Sequence, residues 1–183
     1  ALAYVGYLHG YRYVHESAQD TTIQNFLLNY MHNEVEATLD NVPGIDLSEY
    51  QNSVIERFAN PNIADTLQRI CEFTSDRIPV FNLPAIHEQL DSDKNLKLSA
   101  LIVASWRVYL EGVDENGEKI DIVDNKKDFL LDFITNNADP LEFIKIKEIF
   151  HNLADNVEFA SDYLLAYKTI KSDGAINAIA KFL

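Results

Sequence analysis

One cysteine, Cys71, occurs in 183 residues, which excludes an internal disulfide and any cysteine-rich zinc site. Lysine is missing from the first half. None precedes Lys94, and between Arg12 and Lys94 the only Lys or Arg side chains are Arg57, Arg69 and Arg77. The chain carries 15 Lys and Arg against 29 Asp and Glu, a formal net charge of −14. A field of that sign repels phosphate backbones and anionic membranes, and the lysines of the second half are scattered among acids. Nucleic acid and membrane surfaces are therefore not expected partners. No apolar run approaches the roughly 20 residues needed to span a bilayer. No secretory leader is read in this sequence, and with a single cysteine the cytoplasm is the expected compartment. The chain opens at Ala1 directly into periodic apolar sequence, which reads as an internal fragment cut inside or just before a helix. Phosphate-binding loops, GxGxxG, HExxH and the nucleophile elbow are all missing.

What remains is helical. A length of 183 residues and an apolar fraction of 47% fit one domain with a real core. Ala1 to Glu16 is apolar on nearly every face and reads as a buried central helix, with Gly6 and Gly10 marking close approach by another backbone. Ile23, Phe26, Leu27, Tyr30, Met31 and Val35 form an amphipathic stripe after a cap at Asp20 or Thr21. A turn at Val42-Pro43-Gly44 follows. Asp46 and Glu49 then have capping-box spacing, and Asn60-Pro61 starts a helix running through Arg69 to Phe73. Pro79 and Pro84 predict irregular chain.

In the second half, Leu98 to Tyr109 is a helix, Asp114 to Gly117 a turn, and Ile120 with Ile122 a scrap of strand. Helices resume from Lys126 to Thr135, after the Asp139-Pro140 cap, and after an Asp155/Glu158 box. Asp173-Gly174 separates a last short helix. Eight or nine helices are expected, giving an all-α domain.

The candidate functional residues lie in VIERFANPNIADTLQRICEFTSDRIP, which begins at Val54. Arg69 and Arg77 are eight apart, so a helix and the loop after it could aim both guanidinium groups into one pocket. Two converging donor-only cations suit hydroxyl-rich or anionic small molecules. The alternative is a surface ion pair for each with a nearby acid. His32, Glu34 and Glu36 have metal-like residue types, but their spacings do not share one helix face, and a solvated helix end fits them better. His9 and Tyr13, one turn apart, are expected inside the core. Tyr4, Tyr7 and Tyr11 read as core residues, with a sugar-lining role as the alternative.

ALAYVGYLHGYRYVHE, then VPGIDLSEYQNSVIERFANPNIADTLQRIC and SDRIP, closely resembles the C-terminal domain of the mannitol dehydrogenase family, the long-chain, metal-independent polyol dehydrogenases. The likeness is dense from Ala1 to about Pro84 and collinear beyond. It implies a multi-helical domain of the 6-phosphogluconate dehydrogenase C-terminal type over residues 1–183, substrate-binding in role. It also implies an N-terminal Rossmann domain that binds NAD or NADP and is not in this chain. The family's KxxxxNxxH motif, with its lysine as general base, is expected just upstream of Ala1, so no catalytic residue is assigned here. By the same likeness Arg69 stands at a family arginine for substrate hydroxyls, and Arg77 at the usual lysine of a Ser-x-Lys-Ile/Leu-Pro run. Val80 replaces a second lysine. Arg77 keeps the charge but turns a compact ammonium into a planar fork.

The implied activity is oxidation of the 2-hydroxyl of mannitol or a related polyol to the ketose. The alternative within the family is a fructuronate or tagaturonate reductase. This chain alone is expected to be inactive and to bind neither cofactor nor metal. The competing class is a stand-alone helical interaction module. A domain made to dock on another should expose an apolar edge near Ala1, whereas a free-standing module should cover it.

Overall fold

The computed structural model describes residues 1–40, 43–92 and 94–183. It is all-α. Among the described residues no strand forms, and only two isolated bridges occur, Tyr13 with Thr66 and Val113 with Lys119. The helices are α1 (Leu2–His9), α2 (Val14–Gln19), α3 (Thr21–Tyr30), α4 (Leu47–Phe58), α5 (Leu67–Cys71), α6 (Thr74–Arg77) and α7 (Leu83–Asp91). They continue as α8 (Lys97–Tyr109), α9 (Lys127–Asn136), α10 (Lys147–Phe150), α11 (Val157–Asp173) and α12 (Ala175–Phe182). Short 3-10 turns and two π turns, Met31–Val35 and Ile78–Asn82, lie between them.

The hub is α8, whose side chains from Leu98 to Tyr109 are all buried. Helices α1, α3, α11 and α12 pack around it. A helix apolar on every face must be covered on every face, and this one is. At its C-terminal end Trp106 meets Phe143 edge-on at 5.1 Å between ring centroids, and Phe150 joins both.

The expected helix from Ala1 to Glu16 is two. Gly10 takes the left-handed conformation (φ 109°) as C-cap of α1. The Glu16 carboxylate then accepts from the backbone of Arg12 and Tyr13, both at 2.8 Å, to start α2. Both glycines are close approaches, though to side chains: a Cβ at Gly6 would lie 2.8 Å from Ser17 Cβ and one at Gly10 2.3 Å from Asn116 Nδ2. His9 is not in the core. Its ring stands at the surface 3.4 Å from Glu115, and Tyr13 stacks on His15 instead.

The expected helix from Pro61 to Phe73 is also broken. A 3-10 turn over Pro61–Ile63 ends at Ala64 in the left-handed region (φ 50°), and Thr66 caps a new start on Arg69 N. The reverse error occurs at Pro79 and Pro84, where the chain stays helical from Thr74 to Asp91. The π turn places Leu83 N on the Ile78 carbonyl, a five-residue step, and both prolines sit in the first positions of their segments, where a missing N–H costs little.

Ile120 and Ile122 are buried core residues in irregular chain rather than strand. Asn156, not Asp155, caps α11 through Phe159 N. The helix after Asp139-Pro140 is a 3-10 turn followed by the short α10. Asp20, Asp46 and Asp139 cap as expected. Pro43 and Gly44 form a turn, and Val42 lies outside the described residues. These splits, together with the 3-10 and π turns, explain why twelve α segments stand among the described residues where eight or nine are expected.

Candidate functional site

The N-terminal end of α1 opens on a cleft of about 350 Å³. Its walls come from Leu2 and Tyr4 of α1, Leu27 and Tyr30 of α3, Phe58 of α4 and Phe81 of the second π turn. Arg77 is the one charged side chain among its described lining residues. At the end of α6, Arg77 donates from Nη1 to the Ile70 carbonyl at 3.1 Å, which fixes the fork, and among the described residues no acid forms a salt bridge with it. Val80 and Phe81, at 62% and 74% exposure, stand on the adjoining π turn as bare apolar surface.

Two phenols tie this segment to α1. Thr74 Oγ1 gives its proton to the Cys71 carbonyl at 2.7 Å, so at 2.6 Å it accepts from Tyr4. Tyr7 donates to Gln68 Oε1 at 2.8 Å, and Gln68 Nε2 donates to the Asp121 carbonyl. On the far side Asp124 accepts from Ser75 N at 2.9 Å and from Ser75 Oγ. Burial holds the Tyr4 hydroxyl well above the ordinary phenol range, with Cys71 adding to the rise and the Thr74 bond opposing it. Tyr4 therefore stays a neutral donor. Tyr4 and Tyr7 thus hold the Gln68–Thr74 segment against α1 through their hydroxyls.

Arg69 lies outside the cleft's lining residues. It projects from α5 with 60% of its side chain exposed, and its Nε donates to Asp65 Oδ1 at 2.6 Å while Nη2 donates to Asp65 Oδ2. Arg69 thus makes an ion pair with a nearby acid, which leaves its Nη1 group without a partner among the described residues. Asp65 also lines a smaller hollow of about 160 Å³ with His15, Arg57 and Asn60, and that hollow shares Val14 and Phe58 with the larger cleft. The two arginines thus flank one region from separate short helices, linked through Ile70, which follows Arg69 and holds Arg77. They do not enter one cavity of this chain together.

Glu34 is not part of a solvated helix end. It is buried and caps α8, while His32 pairs with Glu36 at 2.9 Å. Among the described residues no group of three His, Cys, Asp or Glu is placed to hold a metal ion. Asp65 and Glu34 escaped sequence reading as position-setting residues. The four-residue spacing of Asp65 and Arg69 was the available signal for the first.

The family model for the mannitol dehydrogenase C-terminal domain matches residues 1–171. The mannitol dehydrogenase DSF1 of Saccharomyces cerevisiae is 41% identical over all of this chain, and the mannitol 2-dehydrogenase of Emericella nidulans 36%. The chain spans 37% of the length of each. Among solved structures, the mannitol 2-dehydrogenase of Pseudomonas fluorescens, in a ternary complex with NAD and D-mannitol, superposes with a TM-score of 0.94. It is 33% identical, with 98% of this chain and 37% of that one covered.

Proposed function

Because the chain belongs to the mannitol dehydrogenase family, we propose that it is the substrate-binding domain of an NAD(P)-dependent polyol dehydrogenase that oxidises the 2-hydroxyl of mannitol or a related hexitol to the ketose. The observation that carries this reading is the cleft at the start of α1, apolar in its walls and provided with one uncompensated guanidinium, Arg77. It lies beside the point where the family's KxxxxNxxH motif would precede Ala1. In this proposal Arg77 and Arg69 hold the hydroxyls of the hexitol chain, while Tyr30, Phe58 and Phe81 exclude water around it.

The residues of this chain do not fit a dinucleotide. The cleft offers one cation and no glycine-rich strand–turn–helix for a pyrophosphate. NAD or NADP belongs, in this reading, to an N-terminal Rossmann domain of the intact protein, which would also supply the general base. The bare Val80 and Phe81 beside the cleft suit contact with such a domain better than a free-standing interaction module, which would cover that edge. Among the described residues no helix is long and apolar enough to cross a membrane, and we place the intact enzyme in the cytoplasm.

One observation favours a second substrate within the same class. The planar fork of Arg77, with only a neutral carbonyl as partner, can accept a carboxylate in two parallel bonds, as a fructuronate or tagaturonate reductase would require.

The test uses the intact enzyme. Arg77→Ala should raise KM for mannitol about tenfold or more, while KM for the nicotinamide cofactor stays within about twofold. Equal loss for both would refute a substrate role. A panel of mannitol against fructuronate separates the two substrates, and the isolated 183-residue chain should give no turnover with either.

A further inference from the structure

We infer that Asp65 is the positioning residue that sets the charge selectivity of the substrate grip: it holds Arg69 as a neutral two-pronged pair, so that Arg69 presents hydrogen-bond donors to neutral hydroxyls rather than a free cation to a carboxylate. The inference rests on the substrate role of Arg69 proposed above. Of the five N–H groups of Arg69, one on Nε and one on Nη2 are taken by Asp65. The two on Nη1 and the second on Nη2 remain, on a side chain that is 60% exposed. These three point away from the carboxylate in one plane, the arrangement that meets vicinal hydroxyl oxygens.

Asp65 is itself held from several directions. Its main-chain carbonyl accepts from Val14 N at 2.9 Å, and its Oδ1 accepts from Thr66 N at 2.9 Å. On the next residue pair, Leu67 N donates to the Arg12 carbonyl at 2.9 Å. Thr66 then caps α5 on Arg69 N itself. Both partners of the pair are thus anchored to the start of one short helix, which the loop after α1 clamps in place. Arg69 keeps the Asp65 carboxyl below its ordinary range, so the pair stays charged on both sides, and neutral in sum, through the working range of a dehydrogenase.

Arg77 is the contrast. Its hydrogen-bond partner is a neutral carbonyl, and none of the salt bridges among the described residues involves it. One compensated and one free cation give a grip that places a neutral polyol on Arg69 and tolerates an anionic group only at Arg77. Freeing Arg69 from Asp65 should therefore shift selectivity toward carboxylate-bearing substrates as well as loosen the neutral one.

The experiment compares the full-length enzyme with its Asp65→Asn, Asp65→Glu and Arg69→Ala variants in the reducing direction, on D-fructose and D-fructuronate, which differ at a carboxylate. Asp65→Asn should raise KM for fructose about tenfold with kcat changed less than about threefold. It should raise the ratio of kcat/KM for fructuronate over fructose about tenfold. Asp65→Glu keeps the charge and displaces the fork. It should raise KM for fructose while leaving that ratio within about twofold of the parent, which a purely structural effect on α5 would not distinguish from Asn. An unchanged ratio in Asp65→Asn, or an equal shift in both Asp65 variants, overturns the inference while a raised KM in Arg69→Ala leaves the substrate reading standing. An Arg69→Ala variant with unaltered KM removes the substrate role of Arg69 and the inference with it.

Discussion

Glu34 and Ser99, 65 residues apart in sequence, meet at the N-terminus of α8: the Glu34 carboxylate accepts from Ser99 N at 2.7 Å and Ser99 Oγ at 2.6 Å, and its other oxygen from Leu98 N at 2.8 Å. The hub helix has no cap of its own, because Leu96 stands where a Ser, Asp or Asn would serve. A residue from the first π turn does that work. Glu34→Ala leaves three buried donors unmet and should destabilise the domain by about 2–4 kcal/mol in denaturant unfolding.

The same carboxylate sets a pH dependence. Burial raises the Glu34 carboxyl above its ordinary 4.5, against hydrogen bonds from Ser99 and Leu98 that lower it. The folded state then holds this proton more tightly than the unfolded chain. Its contribution is full below the ordinary value and is lost as pH rises through the higher native one. Unfolding free energies of the parent and Glu34→Gln, measured from about pH 4 to pH 7, should therefore shift against the parent as pH rises.

Asp114 has the opposite sign. Burial pushes its carboxyl upward, but the Arg12 guanidinium at 2.6 Å and the N–H groups of Glu118 and Asn116 outweigh that and hold it below its ordinary 3.8. Its stabilisation is present above the ordinary value and is lost as pH falls through the lower native one. Asp114→Asn should cost about 1–3 kcal/mol at neutral pH and flatten the acid limb of the stability curve.

Gly6 leaves no room for a methyl group. A Cβ there would fall 1.6 Å from Ser17 Oγ and 2.8 Å from Ser17 Cβ. Gly6→Ala should lower stability by about 2–3 kcal/mol, and Ser17→Gly in the same molecule should restore most of it, as thermal unfolding would record.

Cys71 is 2% exposed, and burial raises its thiol well above the ordinary 9.0. Iodoacetamide should leave the native domain unlabelled and modify one site per chain once guanidinium has unfolded it. Labelling of the native protein would mean that α5 opens from α1 far more readily than its packing allows.

The sequence made the class of fold plain because apolar spacing in α3, α8 and α11 and the Asp caps of α3 and α4 are local signals. The breaks were not legible. Ala64 and Phe73 adopt left-handed backbone without being glycine (φ 50° and 56°), and their cause is tertiary: Asp65 O is held by Val14, and Phe73 N by the Val123 carbonyl. Pro79 misled for a related reason, since a π turn absorbs the missing N–H that an α-helix would not. Arg77 in its cleft and Arg69 outside the cleft's lining could be nominated from residue type and family likeness. The four-residue spacing of Asp65 and Arg69 was a local signal for the one partner, whereas the Ile70 carbonyl that holds Arg77 had none.

The five-residue stretch Ile78–Asn82 closes a wider ring than an α turn, with Leu83 N reaching the Ile78 carbonyl. Its length, more than its composition, orients the guanidinium that precedes it. Deleting one residue there would let an ordinary helix run through and swing α6 by about 100° against α7. Arg77 and the Phe81 wall would then no longer face the cleft together, with the arginine's own sequence neighbourhood unaltered. A relative shortened by one residue at this point would keep the arginine in an alignment and lose it from the pocket.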